Sequence, residues 1–460
     1  MKLKILSGAF FWLFIFLFSC SEDINFSSGV AKLAFSTDTV FCDTVFNQVR
    51  SETYAVKVYN TENNNVTIPR ISLARGAQSL YRINVDGKAG VDFYDVPLRA
   101  KDSLYIFIEI APKINAPSAI AEDDILFQTS SGEQKVTLFS VVEDAEFYIS
   151  TAAQPKIITE NTIWKNDKAK VIFGNLTLAE GKTLSIEKGT RVYFHKNSGL
   201  KILKNSKLIA NGDLENPVIF RGDRNDLRYD TLPANWNGID ALEGAEIQMD
   251  YAKLMGGIVG LRLEKADAYL KNTIIHTFQT YGIQGINARL QAENLIMNNA
   301  GSASIGIFGG GDYQLIHSTL ANYWSLSGAT ADVLYASDTY EGTSGELNLV
   351  LQNTLLYSPR SNALVLDAEN DLNLNYLIQN CLLNYDSSYA KFSFDNNPKI
   401  IASIQNEDPK FIHPYIEKMN LRVSEDSPAK GKGNTTIAQQ VPKDFTNTDR
   451  THSPTIGAYQ

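Results

Sequence analysis

Cysteine is scarce: Cys20, Cys42 and Cys381 are the only three in 460 residues. So few thiols cannot make a disulfide framework, and their spacing makes no thiolate metal site. Clustered basic residues are missing too. The chain sets 42 Lys and Arg against 51 Asp and Glu, a net charge of −9. Holding a nucleic-acid backbone needs grouped cations, so nucleic acid is not an expected partner. The five histidines (His195, His276, His317, His413 and His452) include no pair at metal-ligand spacing. No Gly-rich phosphate loop stands before a helix, which leaves nucleotide binding unsupported. Neither a cofactor nor a metal is therefore expected. The only long apolar run covers residues 9–18, well short of the ~20 needed to span a bilayer.

That run is informative all the same. Lys2 and Lys4 precede it, and Ser19 and Cys20 follow. A basic start, a short apolar stretch and a small residue before the cut are the parts of a signal peptide, here residues 1–19. Residues 17–20 (LFSC) resemble a bacterial lipobox, which implies lipid attachment at Cys20. Acyl chains contribute about 0.8 kcal/mol per buried CH₂, so a multiply acylated cysteine holds a protein on a membrane. Residues 21–23 (SED) are similar to the Ser-plus-acidic signal that sends Bacteroidota lipoproteins to the outer face of the outer membrane. The implied address is the outer membrane, lipid-anchored and facing the exterior, with residues 20–29 as tether. Cys42 and Cys381 then read as small buried hydrophobes, with a disulfide between them left open.

Residues 30–146 read as short strands separated by turn residues. Examples are 54–59 (YAVKVY), 103–110 (SLYIFIEI) and 136–142 (VTLFSVV), with breaks at 63–65 (NNN), 86–87 (DG) and 130–132 (SSG). Period-two alternation puts one face inward. About seven such strands suit a β-sandwich, and the stretch resembles the Ig-like modules of bacterial surface proteins. Cys42 alone cannot make the inter-sheet disulfide of antibody domains.

From residue 147 to 460 a repeat takes over. Apolar pairs recur at 252–255 (AKLM), 272–275 (NTII), 294–297 (NLIM), 318–321 (STLA), 353–356 (NTLL) and 380–383 (NCLL). Their starts are 20, 22, 24, 35 and 27 residues apart, and four of the six are Asn. Coils of about 22 residues built from short strands and tight turns predict a right-handed parallel β-helix. Asn tolerates the left-handed turn, and its amide can bond the residues stacked above and below. The stretches 189–194 (GTRVYF), 208–212 (LIANG) and 217–220 (PVIF) resemble the opening coils of pectate-lyase-like β-helices. Residues 426–429 (DSPA) and 456–459 (IGAY) resemble the closing segment of that superfamily. The phrases around 222–224, 236–239 and 321–325 look like a group of Bacteroidota surface β-helix lipoproteins, a resemblance that implies fold and address but no reaction. The expected fold class is all-β: an Ig-like sandwich followed by a right-handed parallel β-helix.

Chemistry is harder to find. A polysaccharide lyase needs a base and a cation, and a hydrolase needs carboxylates facing one groove. Asp250 and Asp267 are 17 apart, Glu264 and Glu293 are 29 apart, and Asp240 and Asp267 are 27 apart, so carboxylates make no clean column at coil spacing. Two inserts interrupt the repeat and are where binding residues are expected. The first supplies Asp223, Arg224, Asp226, Arg228, Tyr229 and Asp230 and leads into Trp236; the second begins with Tyr323 and Trp324. The aromatics could stack on sugar rings or anchor a protein, and Trp236 could equally cap the core. The expectation is a membrane-tethered, non-catalytic arm that binds an outer-membrane protein complex or a glycan. The alternative is a polysaccharide lyase or glycoside hydrolase of the pectate-lyase-like superfamily. A groove in which three or more carboxylate, Lys or Arg side chains converge would overturn the non-catalytic reading.

Overall fold

The computed structural model describes residues 25–28, 30–47, 49–112, 120–224, 228–327, 331–359, 362–369 and 373–460. Cys20 and Asp226 lie outside the described residues. The chain is all-β, an Ig-like sandwich followed by a right-handed parallel β-helix. Two compact units meet between Glu143 and Asp144. The strand Ala145–Ile149 falls in the second unit because it pairs in parallel with Ala169–Phe173.

In the first unit, Tyr54–Asn60, Ser103–Ile110 and Tyr81–Val85 pair antiparallel in one sheet. Val66–Leu73, Ile120–Thr129 and Gly132–Glu143 pair antiparallel in the other. Val56, Val58, Ile106, Ile108, Ile125, Phe127, Val136 and Leu138 fill the space between the sheets with no exposed surface. The alternation along each strand dictates this, since every second side chain points inward. Cys42 is free and buried there, and burial pushes its thiol up to about 12.

The second unit stacks parallel strands on three faces, with rungs ~4.8 Å apart. Face 1 runs from Ala145–Ile149 through Val218–Gly222, Ala252–Met255 and Ile274–Phe278 to Ile404–Gln405. Face 2 includes Gly199–Ile202, Gly238–Ala241, Leu261–Glu264 and Asp332–Ser337, and face 3 includes Lys207–Asn211, Glu246–Asp250, Asp267–Lys271 and Leu347–Gln352. Tyr281–Glu293 and Ala303–Ile316 each bend around the corner from face 2 to face 3. Each face sends a column of side chains inward. On face 1 this column is Val192, Phe220, Leu254, Ile275, Met297, Leu320, Leu356 and Leu383, each almost or wholly without exposed surface. Fully burying such a side chain contributes about 1.5–3 kcal/mol, so stability grows coil by coil.

The corner from face 3 to face 1 carries the ladder. Asn272, Asn294, Asn353 and Asn380 occupy the left-handed region with φ between 44° and 52°. The same position in the remaining coils is held by Tyr251 (φ 47°) and His317 (φ 48°), one residue ahead of the Ala252 and Ser318 that apolar alignment selects. Asn294 donates to Asn272 Oδ1 at 2.8 Å, and Asn272 donates to Asp250 Oδ1 at 2.9 Å. Cys381, next to Asn380, is a free thiol buried in the core.

The outer side of face 1 is unusual in being apolar over its later coils. Ile274, Ile296, Leu355, Leu382 and Ile404 point outward there, and the C-terminal segment covers them. Leu421 and Ala458 pack on Ile296 and Ala321, while Ala429 and Ile456 pack on Leu355 and Leu382. The ladder fastens this segment. Asn294, Asn353 and Asn380 donate to the carbonyls of Lys443, Asn434 and Lys432, and the Asn434 amide donates to Asn353 Oδ1 at 2.7 Å. Ladder amides thus bond both to one another and to the returning chain.

Candidate functional site

Coil spacing assembles a column that like-with-like searching overlooks. Asp240, Arg262, Gln284 and Gly306 are each 22 residues apart and stack as register partners on the outer side of face 2, with Lys201 before them and Tyr335 after. Arg262 bonds in both directions: Nη1 donates to Asp240 Oδ1 at 3.2 Å and Nε to Gln284 Oε1 at 3.1 Å. Both charged side chains remain 41% exposed, so their outer edges face solvent. The neighbouring column holds Glu264, Ile286 and Phe308.

Aromatic rings gather at the next coils. Phe308 meets Tyr281 edge-on at 5.7 Å, with Tyr335 at 5.8 Å and Tyr340 at 6.2 Å. Gly306 makes the cluster possible. A Cβ there would lie 2.6 Å from Tyr281 Cε1 and 3.0 Å from Phe308, closer than real side chains approach. Tyr340 comes from a small hairpin in the second insert, where Thr339–Tyr340 pairs with Thr343–Ser344. Tyr335 donates to Asp367 Oδ2 at 2.6 Å, and Lys391 pairs with the same carboxylate. Asp332 stacks two rungs from Tyr281, and burial pushes its carboxyl up to about 6. Over about five rungs the face offers hydrogen-bonding groups followed by half-exposed rings, an arrangement suited to a long polar ligand with flat apolar patches.

The residues singled out from sequence are placed elsewhere. In the first insert Asp223 accepts from His195 Nδ1 at 2.7 Å, and that imidazole stacks on Phe173 at 4.6 Å. Burial pushes the Asp223 carboxyl up, with His195 pulling it back. Arg224 lies over the ring of Tyr229 at 4.0 Å, and Asp230 pairs with Arg221 at 2.6 Å. Arg228 is exposed and opens the short turn Tyr229–Thr231. Asp223, Arg224 and Asp230 are thus engaged within the insert and with the neighbouring coil. Trp236 is wholly buried, stacked on Phe194 at 4.2 Å, with Nε1 donating to the Met255 carbonyl at 2.9 Å. It is a core residue and leaves the candidate binding surface. Trp324 is also buried, its Nε1 on Ser327 Oγ at 2.8 Å. Tyr323 packs among Tyr357, Phe411 and Tyr415 beneath the C-terminal segment. The structure therefore does not unite the two inserts' aromatics into one platform.

Face 3 carries a second mixed column, Lys207, Glu246, Asp267, Arg289 and Asp312. Its pairs, Lys207–Glu246 at 3.0 Å and Arg289–Asp267 at 3.8 Å, are largely exposed, and such pairs are worth ~0–1 kcal/mol. Among the described residues no three His, Cys, Asp or Glu side chains gather to hold a metal ion, and no helix is long and apolar enough to cross a membrane.

No protein-family model matches the chain, and no curated protein matches it. Among solved structures, a protein of unknown function from Porphyromonas gingivalis W83 is similar over a limited stretch. It is 15% identical, with 29% of this chain and 57% of that chain covered and a TM-score of 0.19. The chain thus spans a little over half the length of that structure.

Proposed function

We propose that the protein is a Bacteroidota-type surface lipoprotein, held on the outer membrane through Cys20, that binds a glycan along face 2 without cleaving it. The observation that carries the reading is the Asp240–Arg262–Gln284 column running into the rings of Tyr281, Phe308, Tyr335 and Tyr340. Planar donors and acceptors read sugar hydroxyls, and exposed rings stack on the apolar faces of pyranoses. The single carboxylate of the column is already engaged by Arg262, whereas glycoside hydrolysis typically uses a pair of carboxyl groups flanking the bond, one as acid and the other as base or nucleophile.

An oligosaccharide array probed with the full-length protein tests this. One or more glycans should be retained, and Arg262→Ala and Phe308→Ala should each weaken retention at least about tenfold, roughly 1.4 kcal/mol. Undiminished retention in both variants would remove face 2 as the site. The anchor has its own test. Cys20→Ala should move the protein from the membrane fraction to the soluble fraction and abolish acyl labelling; unchanged fractionation would reject lipid attachment.

A second reading, a polysaccharide lyase or glycoside hydrolase, is favoured by two specific observations. Lys201, Asp240, Arg262 and Glu264 share the outer side of face 2, and Asp332 keeps a carboxyl raised to about 6 near Tyr281. The two readings part on whether a bound oligosaccharide stays intact.

A further inference from the structure

We propose that one pole of the first unit, built from residues 61–65 and 99–102, rests on lipid headgroups. The inference depends on lipid attachment at Cys20 and adds which surface meets the membrane. Ser27 and Ser28 pair with Val66 and Thr67, so the chain is fixed in the first unit from its first described strand. Just before that strand, Asn65 Nδ2 reaches the Asn25 carbonyl at 3.5 Å. Asn25 stands five positions after Cys20, and five residues at full extension span at most ~18 Å. A lipidated Cys20 therefore lies close to the loops around Asn25, whatever path those five positions take.

Those loops are tied into a stiff pole. Asn60 is 2% exposed, and its Nδ2 donates to the carbonyls of Asn64 and Arg99, each at 2.9 Å. Its Oδ1 accepts from the Glu62 amide at 2.9 Å, and Asn65 Oδ1 accepts from the Ala100 amide at 3.0 Å. Moving either loop would leave these backbone groups unpaired, which holds both in place. The charges at this pole suit a phosphate-bearing surface. Glu62 Oε1 turns back to the Ala31 amide at 3.0 Å, and Asp102 Oδ1 to the Ser103 amide at 2.7 Å. Arg99 is exposed, with no side-chain partner among the described residues. Lys101 Nζ donates to the Thr61 carbonyl at 2.6 Å and has no ion-pair partner among the described residues. Two cations and the exposed amides of Asn63 and Asn64 thus stand beside the root of the tether, where headgroup phosphates can take them. The twelve-residue strand Gly132–Glu143 starts beside Val30, whose carbonyl accepts from the Ser130 amide at 2.9 Å, so the chain leaves this unit at the opposite pole.

The test uses the acylated full-length protein in phosphatidylcholine vesicles, with or without phosphatidylglycerol, that carry a nitroxide-headgroup lipid as quencher. A fluorophore on Asn64→Cys reports this pole, and one on Gln78→Cys reports the other, ~23 Å away along the eight-residue strand Val66–Leu73. Both positions are exposed, while Cys42 and Cys381 have no exposed surface and escape labelling. Quenching at Asn64 should exceed that at Gln78 at least about twofold, because the headgroup layer is only ~5–8 Å deep. Phosphatidylglycerol should strengthen the Asn64 signal, and Arg99→Glu with Lys101→Glu should cancel that gain while the protein stays on the vesicles. A ~20-residue Gly/Ser insert after Asp23, with an r.m.s. reach of ~25 Å, should lower the Asn64 signal in vesicles without phosphatidylglycerol. Equal quenching at the two positions, or an Asn64 signal unmoved by both the insert and the charge reversal, would overturn the proposal. A wild-type protein that does not stay on the vesicles would reject lipid attachment itself, and this inference with it.

Discussion

Replacing Arg450 with Met should free the C-terminal segment and cost about 3 kcal/mol. Arg450 is 1% exposed, and its guanidinium donates to Asn294 Oδ1 at 2.8 Å and to the carbonyls of Gly457 and Ala458 at 3.1 and 3.2 Å. Met fills similar volume but donates nothing, so three buried acceptors lose a partner, each worth ~1–3 kcal/mol. Part of that loss is offset, because Arg450 is itself costly to bury. Its Nε has no partner among the described residues, and desolvation lowers its pKa to about 10. Arg450→Lys should not rescue, since a single ammonium cannot reproduce the fork. Hydrogen exchange across residues 430–460 is the direct measurement. Faster exchange there, with the first unit unchanged, is expected; identical protection in Arg450→Met would refute the clasp.

The second large effect depends on pH and centres on His317. This ladder residue has no exposed surface, its Nδ1 lies 3.3 Å from the Gly457 carbonyl, and its Nε2 lies 2.9 Å from Asn353 Nδ2. Nδ1 must donate and Nε2 must accept, so the imidazole is held neutral, and burial lowers its pKa from 6.5 to about 3. The unfolded chain binds this proton more readily than the folded one. Stability is therefore fully present above pH 6.5 and is lost as pH falls toward about 3. Linkage puts the total at up to about 5 kcal/mol. His317→Asn should restore the consensus ladder residue, keep stability at pH 7.5 within about 1 kcal/mol, and remove this share of the acid loss. His276, buried and likewise depressed, remains as a second source of acid sensitivity. The informative quantity is thus the difference between wild type and variant in urea midpoint at pH 7.5 and pH 4. A difference that does not change with pH would show that His317 does not titrate in this window.

Much of the architecture was legible because it repeats. Asn at 272, 294, 353 and 380 announces a left-handed turn directly, since few other side chains tolerate that backbone. Tyr251 and His317 hold the same backbone without announcing it. His317 does so through long-range bonds to Gly457 and Asn353 that sequence spacing does not reveal. The face 2 column was visible in principle, because Asp240, Arg262, Gln284 and Gly306 keep a strict 22-residue interval. Looking for matching carboxylates hides it, since the chemistry alternates along the stack. The inserts misled for a different reason. A loop that leaves a β-helix needs an anchor, and Trp236 supplies it by stacking on Phe194 inside the core. An aromatic residue in an insert can therefore serve the fold as readily as a ligand. The closing segment looked like an end. Its Arg450 instead reaches back 156 positions to Asn294, a contact only the folded chain brings together.

Retention of an intact oligosaccharide decides the functional reading. The full-length protein, wild type and Arg262→Ala, would be incubated with the glycans it retains on the array, and the sugars then weighed by mass spectrometry. The expected result is wild-type binding of chains whose masses are unchanged after prolonged incubation, with binding lost in Arg262→Ala. Shortened or unsaturated products in the wild-type sample, or no retained glycan at all, would contradict a non-catalytic glycan-binding arm.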